Sequence, residues 1–100
     1  MIRKLDPSEA RERLNTLPHW RFDATRGAIR REFAFADFTQ AFAFMTRIAL
    51  GAEKADHHPE WCNVYNRVDM TLSTHDCNGL SQRDIDMAQL ADRAFAAGAR

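Results

Sequence analysis

Two imidazoles stand side by side in Asp56-His57-His58-Pro59-Glu60, with a carboxylate on either flank, in a chain that has only four histidines. A third, His75, comes later with Asp76 beside it. An ordinary imidazole titrates near pH ~6.5, so such a set can give and take protons close to neutrality. The same residue types also suit metal ligation, and histidines in a loop are often merely exposed. A zinc site takes about three or four ligands with fixed outer partners. His57, His58 and His75 could supply three, although neither C-x-x-C nor H-x-x-x-H spacing occurs.

Whether these groups can act together depends on the elements that carry them. Pro59 disfavours helical geometry at His58. In an extended stretch successive side chains point to opposite sides, so His57 and His58 are expected to do different work. The segments WCNVY and VDMTLST are rich in β-branched and aromatic residues and flank a short turn placed at Asn66-Arg67, which predicts a hairpin. Its strands run antiparallel, so the start of the first and the end of the second share one edge. DHHP and THD therefore meet in space, provided the two-residue turn holds the register. Val68, Met70 and Leu72 point inward, and Asp69, Thr71 and Ser73 point to the other face.

The remaining elements follow from capping and periodicity. Asp6 caps a first helix of about three turns with Pro7 at its first position; Leu5, Ala10, Leu14 and Leu17 share a face, and Pro18 closes it. Trp20 to Asp23 and Ala28 to Phe35 flank ATRG as a first hairpin, with Ile29, Phe33 and Phe35 on one parity. Asp37 caps a long helix with a stripe of Phe38, Phe42, Met45, Ile48 and Ala49. Phe44 and Leu50 lie off that stripe, so a second apolar face suggests a subunit contact. Gly51 weakens this helix without breaking it. Ser81 and Asp84 have capping-box spacing before a last helix that carries Ile85, Ala88 or Leu90, and Ala91. The order α-β-β-α-β-β-α reads as an α+β fold. A four-stranded antiparallel sheet would carry three helices packed on one face, with residues 1–100 as a single domain.

Composition agrees and excludes several classes. The chain has 100 residues, 45% of them hydrophobic and 28% charged, which is globular rather than disordered usage. A chain of this size buries roughly 60 to 70% of its unfolded surface, so self-association would add much. Lys plus Arg equals Asp plus Glu at 14 each, which leaves no electrostatic footprint for direct nucleic-acid or anionic-membrane binding. No apolar run reaches the roughly 20 residues that span a bilayer, and MIRKLDPSEA lacks a signal-peptide core, so the cytoplasm is the expected location. Cys62 and Cys77 read as reduced thiols.

The stretch Glu53 to Asp86, EKADHHPEWCNVYNRVDMTLSTHDCNGLSQRDID, resembles the signature region of the pterin-4a-carbinolamine dehydratases, also called 4a-hydroxytetrahydrobiopterin dehydratases. Glu53, His57, His58, Pro59, Tyr65, His75 and Asp84 fill the family pattern in order, and the likeness extends over most of the chain. The resemblance implies dehydration of a 4a-hydroxytetrahydropterin to the quinonoid dihydropterin, which recycles the cofactor of aromatic amino acid hydroxylases. It implies His57 and His75 as the acid/base pair and His58 as a catalytic-site residue that binds or orients the substrate. Glu53 and Asp84 would be orienting carboxylates, Trp61 and Tyr65 pocket walls, and Pro59 the residue that sets the loop. No metal or cofactor is implied. Dimers with joined sheets that pair into tetramers are implied, as are two other roles: binding a homeodomain transcription factor, or service in a molybdenum-cofactor or other pterin pathway.

Overall fold

The computed structural model describes residues 2–98. The elements are α1 (Pro7–Leu14), β1 (Arg21–Asp23), β2 (Ala28–Ala34), α2 (Phe38–Ala55), β3 (Glu60–Val64), β4 (Arg67–Leu72) and α3 (Gln82–Gly98), with a short 3-10 turn at His75–Cys77. This is the expected α-β-β-α-β-β-α order. All strand pairs are antiparallel in the spatial order β1-β2-β4-β3. The inward parity of the two longer inner strands builds the floor of the core: Ile29 and Phe33 from β2, and Val68, Met70 and Leu72 from β4, are fully buried. Ile85, Ala88 and Ala91 of α3 cover them as the sequence predicts.

Helix α1 starts as expected, with Asp6 accepting from Glu9 N–H, and it gains a full capping box because the Glu9 carboxylate accepts from Asp6 N–H. It is shorter than three turns. Asn15, Thr16 and Leu17 donate to carbonyls three residues back, which tightens the chain out of the α-helix before Pro18. Leu17 is buried all the same.

Two further expectations are corrected. The buried seam of α2 is Ala41, Phe44, Ile48 and Ala52, whereas Phe38 and Phe42 lie on the exposed side at 46% and 55% accessibility. Phe44 turns inward because Phe33 and Phe35 receive it, at ring-centroid distances of 4.7 and 5.1 Å. Small residues at 41 and 52 then let the helix approach the sheet. Gly51 lies within α2 at the crossing with α3, where an added Cβ would stand 2.5 Å from Leu90 Cδ2.

The second correction concerns the turn between β3 and β4. Val64 pairs with Arg67, so the turn residues are Tyr65 and Asn66, one position earlier than expected. Tyr65 takes the left-handed φ of 51°. Asn63 Nδ2 donates to the carbonyls of Tyr65 and Arg67, while Asn66 exchanges backbone and side-chain bonds with Phe35. Every cross-strand partner therefore moves by two residues, which preserves the inward and outward alternation. Val68, Met70 and Leu72 stay in the core for that reason, and the start of β3 still meets the end of β4, with Glu60 opposite Thr71.

Candidate active site

The end of α2 decides how the two adjacent imidazoles part. Asp56 closes the helix in the left-handed region at φ 51°, a conformation that a short polar side chain tolerates, and His57 N–H then returns to Ala52 O at 3.1 Å. This turn sends His57 inward, where it is buried, and leaves His58 exposed. Division of the pair is thus a property of the helix terminus as well as of Pro59.

His57 Nε2 lies 2.7 Å from Asp84 Oδ1. Asp84 is fully buried in the first turn of α3, and its second oxygen accepts from Thr74 Oγ1 at 2.7 Å and from Ser81 N–H at 3.0 Å. Because the Thr74 hydroxyl donates to Asp84, the 2.7 Å contact between Thr74 and Ser81 is filled by the Ser81 hydroxyl donating to Thr74. Ser81 Oγ in turn accepts from Arg83 N–H. The expected spacing of Ser81 and Asp84 is therefore a cap, and the same carboxylate also holds an imidazole. With its Nε2–H donating to the Asp84 carboxylate, a neutral His57 keeps its lone pair on Nδ1.

His58 Nε2 sits 2.6 Å from Glu53 Oε1, one turn back on α2, and both groups are solvent-exposed. His75, in the 3-10 turn, has its Nε2 3.6 Å from Glu60 Oε1, with the imidazole 82% exposed. Glu60 is bound more closely by Arg26 at 2.7 Å. That guanidinium, reinforced by His75, holds the Glu60 carboxyl below its ordinary range.

The three imidazoles border one cleft of about 230 Å³, together with Ile2, Ser73, Thr74 and Arg83 and the carboxylates Asp56 and Asp76. The meeting of DHHP and THD therefore holds. Asp84 lies behind His57 rather than in the cleft, and Glu53 reaches it through His58. Pro59 joins His58 to β3, and Trp61 packs half-buried against the core. Tyr65 is elsewhere: it occupies the turn at the far end of β3, roughly 17 Å of strand from the cleft. A larger groove of about 860 Å³ between α1 and the first hairpin is mainly apolar and holds no imidazole. Among the described residues no three or more His, Cys, Asp or Glu side chains group as metal ligands, and no helix is long and apolar enough to cross a membrane. Cys62 and Cys77 are free.

The model of the family described as pterin 4 alpha carbinolamine dehydratase matches residues 3–94. The chain belongs to this family. It is 57% identical over 96 residues to a Burkholderia vietnamiensis protein, covering 96% of this chain and 94% of that one, and 55% identical to one from Burkholderia multivorans over 100 residues, covering 100% and 97%. Both carry the name "Putative pterin-4-alpha-carbinolamine dehydratase". A solved Brucella melitensis structure described as a transcriptional coactivator/pterin dehydratase superposes with a TM-score of 0.90 at 49% identity, covering 93% of this chain and 99% of that chain. A pterin dehydratase-like RuBisCO assembly factor of the alpha-carboxysome shares the fold, with a TM-score of 0.68 at 23% identity over 76% and 88% of the two chains.

Four residues that line the cleft are not singled out as site residues by the sequence reading. Thr74 was hidden because a threonine at a strand end carries no chemical signal until its hydroxyl is seen donating to the buried Asp84 and accepting from the buried Ser81. Ser73 is placed only on the outward parity of β4. Arg83 and Ile2 come from a helix start and from the N-terminal segment, which neither hairpin geometry nor spacing brings to the cleft.

Proposed function

We propose that the chain removes water from a 4a-hydroxytetrahydropterin, giving the quinonoid dihydropterin, with His57 and His75 as the proton-transfer pair and His58 orienting the ring. The observation that carries this reading is the convergence of three imidazoles on one cleft, with His57 held by the buried Asp84 carboxylate. An open cleft of about 230 Å³ suits a compact bicyclic ring.

The reaction balances without an oxidant or a cofactor. A base takes the proton from the ring nitrogen next to C4a, the freed electron pair forms the C=N bond, and the C4a–O bond breaks. An acid delivers a proton to the departing hydroxyl, which leaves as water. The Asp84 contact favours His57 as the base, since the carboxylate fixes the tautomer and stabilises the imidazolium that forms. His75, exposed across the cleft, supplies the acid. Release of the quinonoid product would feed a reductase that restores the cofactor of aromatic amino acid hydroxylases.

The test generates the 4a-carbinolamine with a hydroxylase and follows quinonoid dihydropterin formation with and without the protein. Acceleration by wild type and its loss in His57→Ala and His75→Ala supports the reading. Equal rates in the presence and absence of wild type sink it, and a variant that keeps the wild-type rate sinks the role of the residue it replaces.

Self-association is a second element of this reading. Phe38 and Phe42 stack at 5.6 Å on the outer side of α2 while remaining about half exposed, an apolar surface that a second copy would cover.

A further inference from the structure

The N-terminal segment ahead of α1 runs from the cleft to the far side of the 3-10 turn, and three contacts tether it. Leu5 is buried and its N–H donates to Leu80 O at 2.8 Å. The Lys4 stem lies against Gly79, where an added Cβ would stand 2.6 Å from Lys4 Cε. Arg3 makes a forked pair with Glu9 of α1 at 2.7 and 2.8 Å. These tethers leave Ile2, half-buried, in the wall of the imidazole cleft.

Among the described residues of that wall Ile2 stands apart, because each of the others carries a polar or ionisable side chain. A flat heterocycle has polar edges and a weakly solvated face. The imidazoles, hydroxyls and carboxylates can serve its edges, but packing against its face needs hydrocarbon.

We propose that Ile2 is a substrate-binding and specificity-determining residue, an apolar wall that packs against the pterin ring or its C6 substituent, with the Arg3–Glu9 pair positioning it. This rests on the pterin reading of the cleft. Contact of this kind is made equally in ground and transition states, so it governs KM and leaves kcat alone.

The experiment measures kcat and KM for the carbinolamine, and the Kd of 7,8-dihydropterin by fluorescence quenching. Wild type is compared with Ile2→Asn, Ile2→Leu and Arg3→Ala. Ile2→Asn, which keeps bulk but adds an amide, is expected to raise KM and Kd about three- to tenfold with kcat within about twofold. Ile2→Leu should restore wild-type values, and Arg3→Ala should weaken binding about two- to fivefold with the same split. If wild type binds and turns over the pterin while Ile2→Asn keeps its KM and Kd, or loses kcat instead, the role of Ile2 is overturned and the pterin reading stands. A wild type that neither binds nor dehydrates the pterin overturns both.

Discussion

His57 and Asp84 are joined by a 2.7 Å hydrogen bond between the end of α2 and the start of α3, and the carboxylate has no exposure to solvent. One buried group therefore does two things: it closes the first turn of a helix and fixes the tautomer of an imidazole at the cleft. Asp84→Asn separates them only in part. An asparagine oxygen can still accept from Thr74 and Ser81, but its amide would face the His57 Nε2 proton and force the other tautomer. Dehydration is expected to fall about 10²-fold at constant substrate binding. Unfolding free energy should drop by about 1 to 3 kcal/mol, read from urea titration. A variant with the wild-type rate would remove Asp84 from the proton-transfer machinery.

Thr74 tests the layer beneath. Its hydroxyl donates to Asp84 and accepts from Ser81, all three residues being buried. Thr74→Val keeps the shape and removes both bonds, so Asp84 Oδ2 keeps only Ser81 N–H and the Ser81 hydroxyl loses its acceptor. A loss of about 1 to 3 kcal/mol in unfolding free energy is expected. The rate of dehydration should also fall, because the carboxylate that holds His57 loses one of its donors. Stability and rate both unchanged would show that water replaces the hydroxyl without cost.

The Arg3–Glu9 pair has a pH signature of its own. Hydrogen bonds from Arg3 and from the Asp6 backbone lower the Glu9 carboxyl from an ordinary 4.5 to about 2. A depressed carboxyl stabilises the fold fully above its unfolded value and loses that contribution as pH falls through the folded one. Glu9→Gln should therefore melt below wild type at pH 6, and the gap should narrow steadily between pH 4.5 and 2. Calorimetric melts of the two proteins across that range decide it. A constant gap would place the effect of Glu9 in packing rather than in charge.

Much of this is legible in the sequence because the signals are local or periodic. Asp6, Asp37 and Pro7 announce helix starts through backbone donors that need partners, and the alternation Val68, Met70, Leu72 survives the misplaced turn because a two-residue shift keeps parity. What the sequence hid was non-local. The burial of Phe44 in place of Phe42 depends on which aromatic side chains of β2 wait beneath α2. The double duty of Asp84 depends on α2 ending beside α3, and the Ile2 contact depends on tethers spread over Leu80, Gly79 and Glu9. Tyr65, which fills a place in the pattern that carries the resemblance, sits on a turn remote from the imidazoles, in a left-handed backbone conformation that bulky residues seldom adopt.

The outer side of α2 offers the last prediction. Phe38 and Phe42 expose about half of their surface in one stacked pair, next to the buried seam and away from the cleft. A symmetric contact uses each side chain twice, so one substitution acts at two places in the interface. If a second copy covers this pair, burying each ring contributes about 1.5 to 3 kcal/mol. Phe42→Asp, which also places two like charges together, should then raise the dissociation constant of the assembly by at least about tenfold. Light scattering after size exclusion is expected to show wild type as an oligomer and Phe42→Asp at lower mass, with unchanged circular dichroism. Equal masses for the two proteins would mean that the α2 face is not the subunit contact, and a wild type of single-chain mass at millimolar concentration would end the self-association reading.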